Sequence, residues 1–330
     1  LNPSALILLL WLLVPAGLTL AFGLLTEAFS KFLLVAVPPL CLLLGVAISH
    51  RPAAISGQAS MVRRLLFPIG HWSLVLGVIC FTALSLANLY FNPAYFRDDY
   101  RGIAQYLAQL SRPGDAVLTN SPNQVEAFAY YHRADAPGAA PLFPLPDSRP
   151  LDPARTAAQL TEIAGRFDRI FVLYWGDAQA DPERFIESWL NANTFKAGDQ
   201  WFGQVRLATY ASARPATEPA TPADARFGEH IRLLGYTLRA AGLAPGDIVQ
   251  VTFFWRTDAP LAARYKVFVH LYADVNAPPV AQQDGEPGGG LALTTTWAPG
   301  ARVIDNHGVL IPPGLPSGPY QLLIGLYDLV

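Results

Sequence analysis

The chain has 330 residues, of which 52% are hydrophobic, and its 23 basic and 25 acidic residues leave a formal net charge of −2. No basic cluster or stripe of the kind that neutralises phosphates is present, which argues against a nucleic-acid-binding protein. Cys41 and Cys80 both fall in apolar runs. The polar half of the chain therefore has no structural disulfide, and the sequence has no CxxC metal or redox motif.

Three apolar runs come first along the chain, and they predict transmembrane helices at about residues 5–25, 32–49 and 72–91. The third run has no charged residue and is about as long as a helix must be to cross a bilayer. Residues 1–95 are therefore predicted to be a membrane domain.

The loops between these runs predict the orientation of the chain. Arg51, Arg63 and Arg64 lie in the second loop, whereas the first loop carries only Lys31 beside Glu27. The positive-inside bias of short loops then places the second loop in the cytoplasm. We expect a multi-pass protein of the cell membrane with residues 92–330 extracytoplasmic.

Residues 96–210 alternate between helix-like and strand-like patterns, which predicts a small α/β domain. The predicted helices are 98–110, 123–132, 154–167 and 181–193, and the predicted strands are 116–119, 169–174 and 202–210. The Asp98–Asp99 pair suits the positive end of the first helix dipole.

Residues 211–226 have the composition of a Pro-rich linker, and the helical period disappears after them. Six alternating runs separated by Pro and Gly turns predict an antiparallel β-sandwich of immunoglobulin-like size over residues 227–330. The predicted strands are 231–239, 249–255, 265–272, 280–283, 303–311 and 320–327. The chain begins within an apolar run and ends within the last strand pattern, so we expect a fragment with a truncated sandwich.

Two groups of charged residues are candidate lipid or substrate contacts. Glu27 and Lys31 lie in the first loop and could meet a lipid phosphate, although a solvated helix cap is the simpler explanation. Arg101, beside the acidic pair at the start of the first α/β helix, could face a membrane surface or could serve only as a helix-start charge. These three residues are the candidate substrate-binding set.

The remaining motifs do not predict a metal site or a phosphate-binding loop. The six histidines are scattered without ligand spacing, so no metal site is expected. The run Gly288–Gly290 precedes no helix pattern and is interpreted as a loop. Five aromatic residues could form a sugar-stacking patch or could pack in the sandwich core: Phe254, Trp255, Tyr265, Tyr272 and Trp297.

Several short segments together resemble bacterial multi-pass glycosyltransferases of the GT-C type, in particular the protein mannosyltransferase and aminoarabinose transferase kind. The apolar hairpin with Phe29-Ser-Lys-Phe-Leu-Leu33 and Val37-Pro-Pro-Leu40 is similar to the last spans of these enzymes. The segments Asp99–Ala104, Pro113–Asp115 and Tyr130–Tyr131 are similar to the α/β domain that follows those spans. Four segments of the last part of the chain are similar to a β domain that is appended to some of these transferases. They are Val267–Leu271, Ala281–Asp284, Trp297–Gly300 and Gly325–Asp328.

The resemblance implies that the intact protein transfers a sugar from a polyprenyl-phosphate carrier to a glycan or protein acceptor, without a cofactor. It places the catalytic carboxylate upstream of this chain, so the chain alone would be inactive. Lys31–Phe32 stand where the family often has an arginine-tyrosine pair, and a lysine keeps the charge but loses the bidentate fork. The alternative is a membrane-anchored, extracytoplasmic glycan-binding or scaffold protein without catalysis.

Overall fold

The computed structural model describes residues 3–23, 37–49, most of 76–92, 98–121, 124–133 and 138–329. The chain divides into two compact units, Leu1–Tyr95 and Phe96–Val330. In the first unit, helix α1 spans Pro3–Ala21 and contains Pro15, and helix α2 spans Val37–Ser49. Residues 76–91 are helical wherever they are described.

In the described parts of the chain, none of the helices combines the length and the apolar character needed to span a membrane. The predicted fold class with three transmembrane helices is therefore wrong, as is the predicted location in the cell membrane with residues 92–330 extracytoplasmic. In the described part of the run predicted to span from residue 32, helix α2 has 13 residues, about 20 Å at about 1.5 Å per residue, against a hydrocarbon core of about 30 Å.

The first predicted span also differs from the structure. Helix α1 has 19 residues, which is about 28 Å, and it ends before the predicted boundary at residue 25. The predicted span at 72–91 lies partly outside the described residues, so no continuous helix is assigned there.

The second unit is an α/β structure with three β-sheets. Its helices are α3 (Tyr100–Leu110), α4 (Val125–His132), α5 (Pro153–Arg166), α6 (Asp177–Ala180) and α7 (Phe185–Asn193). Its first strands are β1 (Asp115–Thr119), β2 (Leu142–Pro144), β3 (Arg169–Tyr174), β4 (Phe195–Phe202), β5 (Val205–Ala211) and β6 (Thr221–Phe227). The remaining strands are β7 (Ile231–Arg239), β8 (Ile248–Thr257), β9 (Tyr265–Tyr272), β10 (Ala281–Gly285), β11 (Arg302–Leu310) and β12 (Gln321–Asp328).

The five-stranded mixed sheet has the order β2-β1-β3-β5-β4. Strands β2, β1 and β3 are parallel, and β5 pairs antiparallel with both β3 and β4. Apolar residues of α5 and α7 pack on one face of this sheet, and those of α3 and α4 pack on the other. Both faces are therefore covered, which explains why β1, β3 and β5 are buried at every position.

The ends of the two longest helices of this unit are fixed by side-chain caps. The Asp99 carboxylate accepts a hydrogen bond from the Gly102 N–H at 2.8 Å. The Asp152 carboxylate accepts from the N–H groups of Ala154 at 3.0 Å and Arg155 at 3.1 Å. An aspartate before the first turn satisfies amide groups that have no partner within the helix, so these helices begin where they do.

The other two sheets face each other around one core. The four-stranded sheet has the order β11-β8-β7-β6, and the three-stranded sheet has the order β10-β9-β12. Alternate residues of β8, including Val251, Phe253 and Trp255, pack against Val267 and Val269 of β9. These strands follow the period of two that their sequences predict.

The mixed sheet and the sandwich are joined through buried contacts. Phe195 and Ala197 of β4 share a small core with Ile248 of β8. Arg169 of β3 pairs with Asp115 through Nε to Oδ1 at 2.8 Å and Nη2 to Oδ2 at 2.6 Å, and its Nη1 donates to the Gly246 carbonyl before β8. The arginine therefore ties the mixed sheet to a turn of the sandwich.

Two strands differ from the sequence expectation. The predicted strand 202–210 is in fact the second half of a hairpin, because Gly203 adopts a φ of 65° and turns the chain between β4 and β5. Strand β6 begins within the predicted linker 211–226, ends one residue beyond it, and pairs with β7. Its proline, Pro222, masked the strand pattern, and proline is tolerated at the edge of a sheet.

Candidate functional site

The predicted substrate-binding residues do not come together in the described structure. Glu27 and Lys31 lie outside the described residues. Arg101 is an exposed residue of α3 and lines neither of the pockets described below. Within the described ranges, no group of three or more His, Cys, Asp or Glu side chains is arranged to hold a metal ion.

The predicted sugar-stacking patch is largely core. Phe254 and Trp255 are fully buried, and Trp297 is nearly so. The indole N–H of Trp255 donates to Asp305 Oδ2 at 3.1 Å, and that of Trp297 donates to the Ala292 carbonyl at 2.8 Å. These three residues therefore pack in the protein interior and do not form a surface for sugar stacking. Tyr265 and Tyr272 are half-buried.

A large cleft lies where helices α5 and α7 meet the sandwich. We call it the interface cleft, and its volume is about 800 Å³. Its walls come from five parts of the chain, and clefts between packed layers are common ligand sites. The lining residues are Thr161, Ala164, Gly165, Trp189, Asn191–Asn193, Ser212, Arg214–Thr217, Gly288, Leu291, Ala292, Ile304 and Asn306.

The lining of the interface cleft is neutral, polar and partly apolar. The half-buried indole of Trp189 and the exposed side chains of Leu291 and Ile304 provide the apolar surface. Hydroxyl and amide side chains provide hydrogen-bonding groups, and Arg214 is the one ionisable side chain that lines the cleft among the described residues. The uncharged polar side chains are Thr161, Asn191, Asn193, Ser212, Thr217 and Asn306.

Helix α7 positions Trp189 and Asn191 at the cleft. The Asp181 carboxylate accepts from the N–H groups of Phe185 at 2.7 Å and Ile186 at 2.9 Å, which fixes the start of the helix. Ile186 and Leu190 are buried against the mixed sheet. The face of the helix that packs on the sheet therefore sets the direction in which the residues beside it point.

A turn of three consecutive glycines forms the opposite wall. Gly288, Gly289 and Gly290 have φ values of 61°, 64° and 91°, which favour glycine. The Asn191 side-chain amide donates to the Gly289 carbonyl at 3.2 Å, and a Cβ at position 289 would lie 2.5 Å from Asn191 Cγ. The glycine run, which the sequence suggested was only a loop, is thus a close-packed wall of the cleft.

Two buried polar atoms in the cleft wall lack a hydrogen-bond partner among the residues that the structure describes. They are Asn191 Oδ1 and Ser212 Oγ, in residues that are 5% and 7% exposed. Buried polar atoms in folded proteins are nearly always paired. A ligand or water that enters this wall would supply the missing hydrogen bonds.

A second pocket of about 380 Å³ adjoins the cleft, and we call it the polar pocket. Asn191 and Asn306 line both spaces, and the glycine turn separates them. Its lining residues are Asn191, Lys196, Gly198, Asp199, Lys266, Gln282–Glu286, Gly289, Gly290, Asn306 and His307.

A buried hydrogen-bond network holds one side of the polar pocket. His307 Nε2 lies 2.7 Å from Asp305 Oδ2, and His307 Nδ1 lies 2.5 Å from Gln283 Oε1. Asp305 also accepts from the Gly288 N–H at 2.8 Å. This network links the sandwich core to the glycine turn and fixes the wall between the two spaces.

An ion-pair network holds the other side. The Arg206 guanidinium contacts Glu187 Oε1 at 2.8 Å and Oε2 at 2.6 Å, and it contacts Asp199 Oδ2 at 2.9 Å. Burial alone would raise the pKa of the Glu187 carboxyl. The hydrogen bonds and charge of Arg206, with contributions from Lys196 and Arg184, outweigh that effect and lower the pKa to about 2.

Sequence reasoning missed Trp189, Asn191 and Ser212, because each is an ordinary residue until the fold brings five segments together. The three consecutive glycines were the usable signal, since glycine without a sequence motif often marks a close approach of backbone and side chain.

Comparison with known proteins gives no family. No protein-family profile matches the chain, and no curated protein sequence matches it. The crystal structure of EvdMO1 is similar over 71% of this chain and 90% of that chain, with 11% identity and a TM-score of 0.17. A likeness this low carries no argument about fold or function.

Proposed function

We propose that the chain binds a glycan in the interface cleft. The observation that carries this proposal is the combination of one half-buried indole, Trp189, with six uncharged hydroxyl and amide side chains in a cleft of about 800 Å³. A sugar ring presents an apolar C–H face that can lie against an indole and a rim of hydroxyl groups that donate and accept hydrogen bonds. Because only one of the described lining side chains is ionisable, the cleft suits a neutral sugar better than a charged nucleotide or a metal ion.

The unpaired atoms in the cleft wall support the same proposal. Ser212 Oγ can donate or accept after rotation of its hydroxyl, and Asn191 Oδ1 can accept. Sugar hydroxyls can satisfy both. Transfer of a sugar from a polyprenyl-phosphate carrier to a glycan or protein acceptor stays a prediction from the sequence alone.

Binding of the full chain to a panel of oligosaccharides tests this proposal. We expect at least one saccharide to bind, and we expect Trp189→Ala to weaken its binding about tenfold or more, which is about 1.4 kcal/mol. Trp201→Ala is the matched control, because Trp201 is 64% exposed and lies outside the cleft. The proposal fails if no saccharide binds, or if the two tryptophan variants weaken binding equally.

A further inference from the structure

The polar pocket lies within reach of a ligand in the interface cleft. The two spaces share Asn191 and Asn306 as wall residues, and Gly288 of the cleft is followed directly by Gly289 of the pocket. A glycan that continues from the cleft over the glycine turn can therefore place a substituent in the pocket. The charges in the pocket then determine which substituent it accepts.

The three carboxylates that line the polar pocket already have partners. Asp199 is paired with Lys196 at 2.6 Å and Arg206 at 2.9 Å, Glu286 with Arg264 at 2.5 Å, and Asp284 with His270 at 2.9 Å and the Tyr327 hydroxyl at 3.0 Å. These contacts are internal to the protein, so the charges of the carboxylates are already compensated without a cationic ligand. The same contacts occupy Lys196, whose ammonium also lies 3.6 Å from Glu187.

Lys266 differs from the other charged groups of the pocket. It lies on β9, is half-buried, and lines the pocket. Its side-chain ammonium has no hydrogen bond or ion pair with any other residue in the part of the chain that the structure describes. A partly desolvated ammonium without a counter-ion favours an anion beside it, because an opposite charge restores part of the lost solvation.

We propose that the polar pocket binds the carboxylate of an acidic sugar, such as a uronic acid, with Lys266 as its counter-ion. This inference rests on the proposed function, since the sugar ring itself would occupy the interface cleft. The pocket then selects acidic over neutral glycans, whereas the cleft provides the binding surface common to both.

Isothermal titration of the full chain with two matched trisaccharides tests this selection. The probes are tri-galacturonic acid and its neutral counterpart galactotriose, compared at low ionic strength, where charge pairs are least screened. We expect the acidic probe to bind about tenfold more tightly. Lys266→Gln should abolish that preference and leave binding of galactotriose unchanged, whereas Lys266→Arg should retain it.

Arg256→Gln is the control for a general loss of positive charge, because Arg256 is exposed and does not line the pocket. It should keep the preference for the acidic probe. The inference is overturned if the unmodified chain binds both probes equally, or if Lys266→Gln keeps the preference; in either case the proposed function stands. If no oligosaccharide of the panel binds, the proposed function falls and takes the inference with it.

Discussion

At the scale of single residues, the most informative group is Glu187. Its carboxylate is buried beside the polar pocket and has a pKa of about 2, against an ordinary value of 4.5. A carboxyl whose pKa is lower in the folded state stabilises the protein above its unfolded pKa and loses that contribution as the pH falls through the folded pKa. The relevant range is therefore from about pH 4.5 down to about pH 2, and the shift corresponds to at most about 3 kcal/mol.

We predict that Glu187→Gln is less stable than the unmodified chain at neutral pH and loses most of this acid dependence. The free energy of unfolding, measured by urea titration at several pH values, should fall less steeply below pH 4.5 in the variant. Glu183→Gln is the matched control, since Glu183 is exposed and should leave the profile unchanged. Parallel pH profiles for Glu187→Gln and the unmodified chain would contradict the role of this carboxylate.

Two buried ion pairs join residues that lie far apart in the sequence. Arg169 and Asp115 form a buried pair although 54 positions separate them, and Glu187 meets Arg206 across 19 positions. Neither spacing belongs to a helix or strand period, so no local pattern could predict the pairs. The helix caps at Asp99 and Asp152, by contrast, act within three residues, and the predicted starts of both helices lie within two residues of the observed ones.

At the scale of elements, the glycine turn shapes both pockets. Gly289 has a left-handed φ, and a Cβ there would meet the Asn191 side chain at 2.5 Å. Gly300 also has a left-handed φ of 81°, but nothing lies within 4 Å of its Cβ position. The two positions therefore separate the cost of the backbone conformation from the cost of displacing Asn191.

We predict that Gly289→Ala destabilises the protein by about 1–3 kcal/mol, because overpacking adds to the backbone strain. It should also weaken glycan binding, since Asn191 must move. Gly300→Ala should cost about 1 kcal/mol and leave binding unchanged. Thermal unfolding and saccharide titration of both variants measure these effects, and equal losses of binding in the two variants would count against the wall assigned to Asn191.

Elements were predicted where one periodicity dominated. Strand β9 alternates between buried and half-buried residues, β8 places alternate residues in the sandwich core, and α3 and α5 carry their apolar residues on one face. Strand β4 was missed because Gly198 and its charged neighbours interrupt the alternation, and β6 was missed because of its proline, Pro222. In both strands, pairing with a neighbour outweighs a weak local preference.

At the scale of the whole molecule, the largest correction concerns the first unit. Apolar runs predicted three membrane spans, but in the described residues α1 and α2 have 19 and 13 residues, and neither is long and apolar enough. Composition reports how apolar a run is, whereas the length of a helix depends on where its backbone hydrogen bonds end. The interface cleft was equally beyond prediction, because its walls come from segments between residues 161 and 306.

The central claim is that the interface cleft is the glycan site, and hydrogen–deuterium exchange of the full chain tests it most directly. Amide exchange would be compared with and without a saturating oligosaccharide that binds in the panel. We predict slower exchange at the three exposed edges of the cleft, residues 189–193, 212–217 and 288–292, and no change in strands β7 and β12. Protection confined to other surfaces, or no protection with any saccharide, would contradict the account.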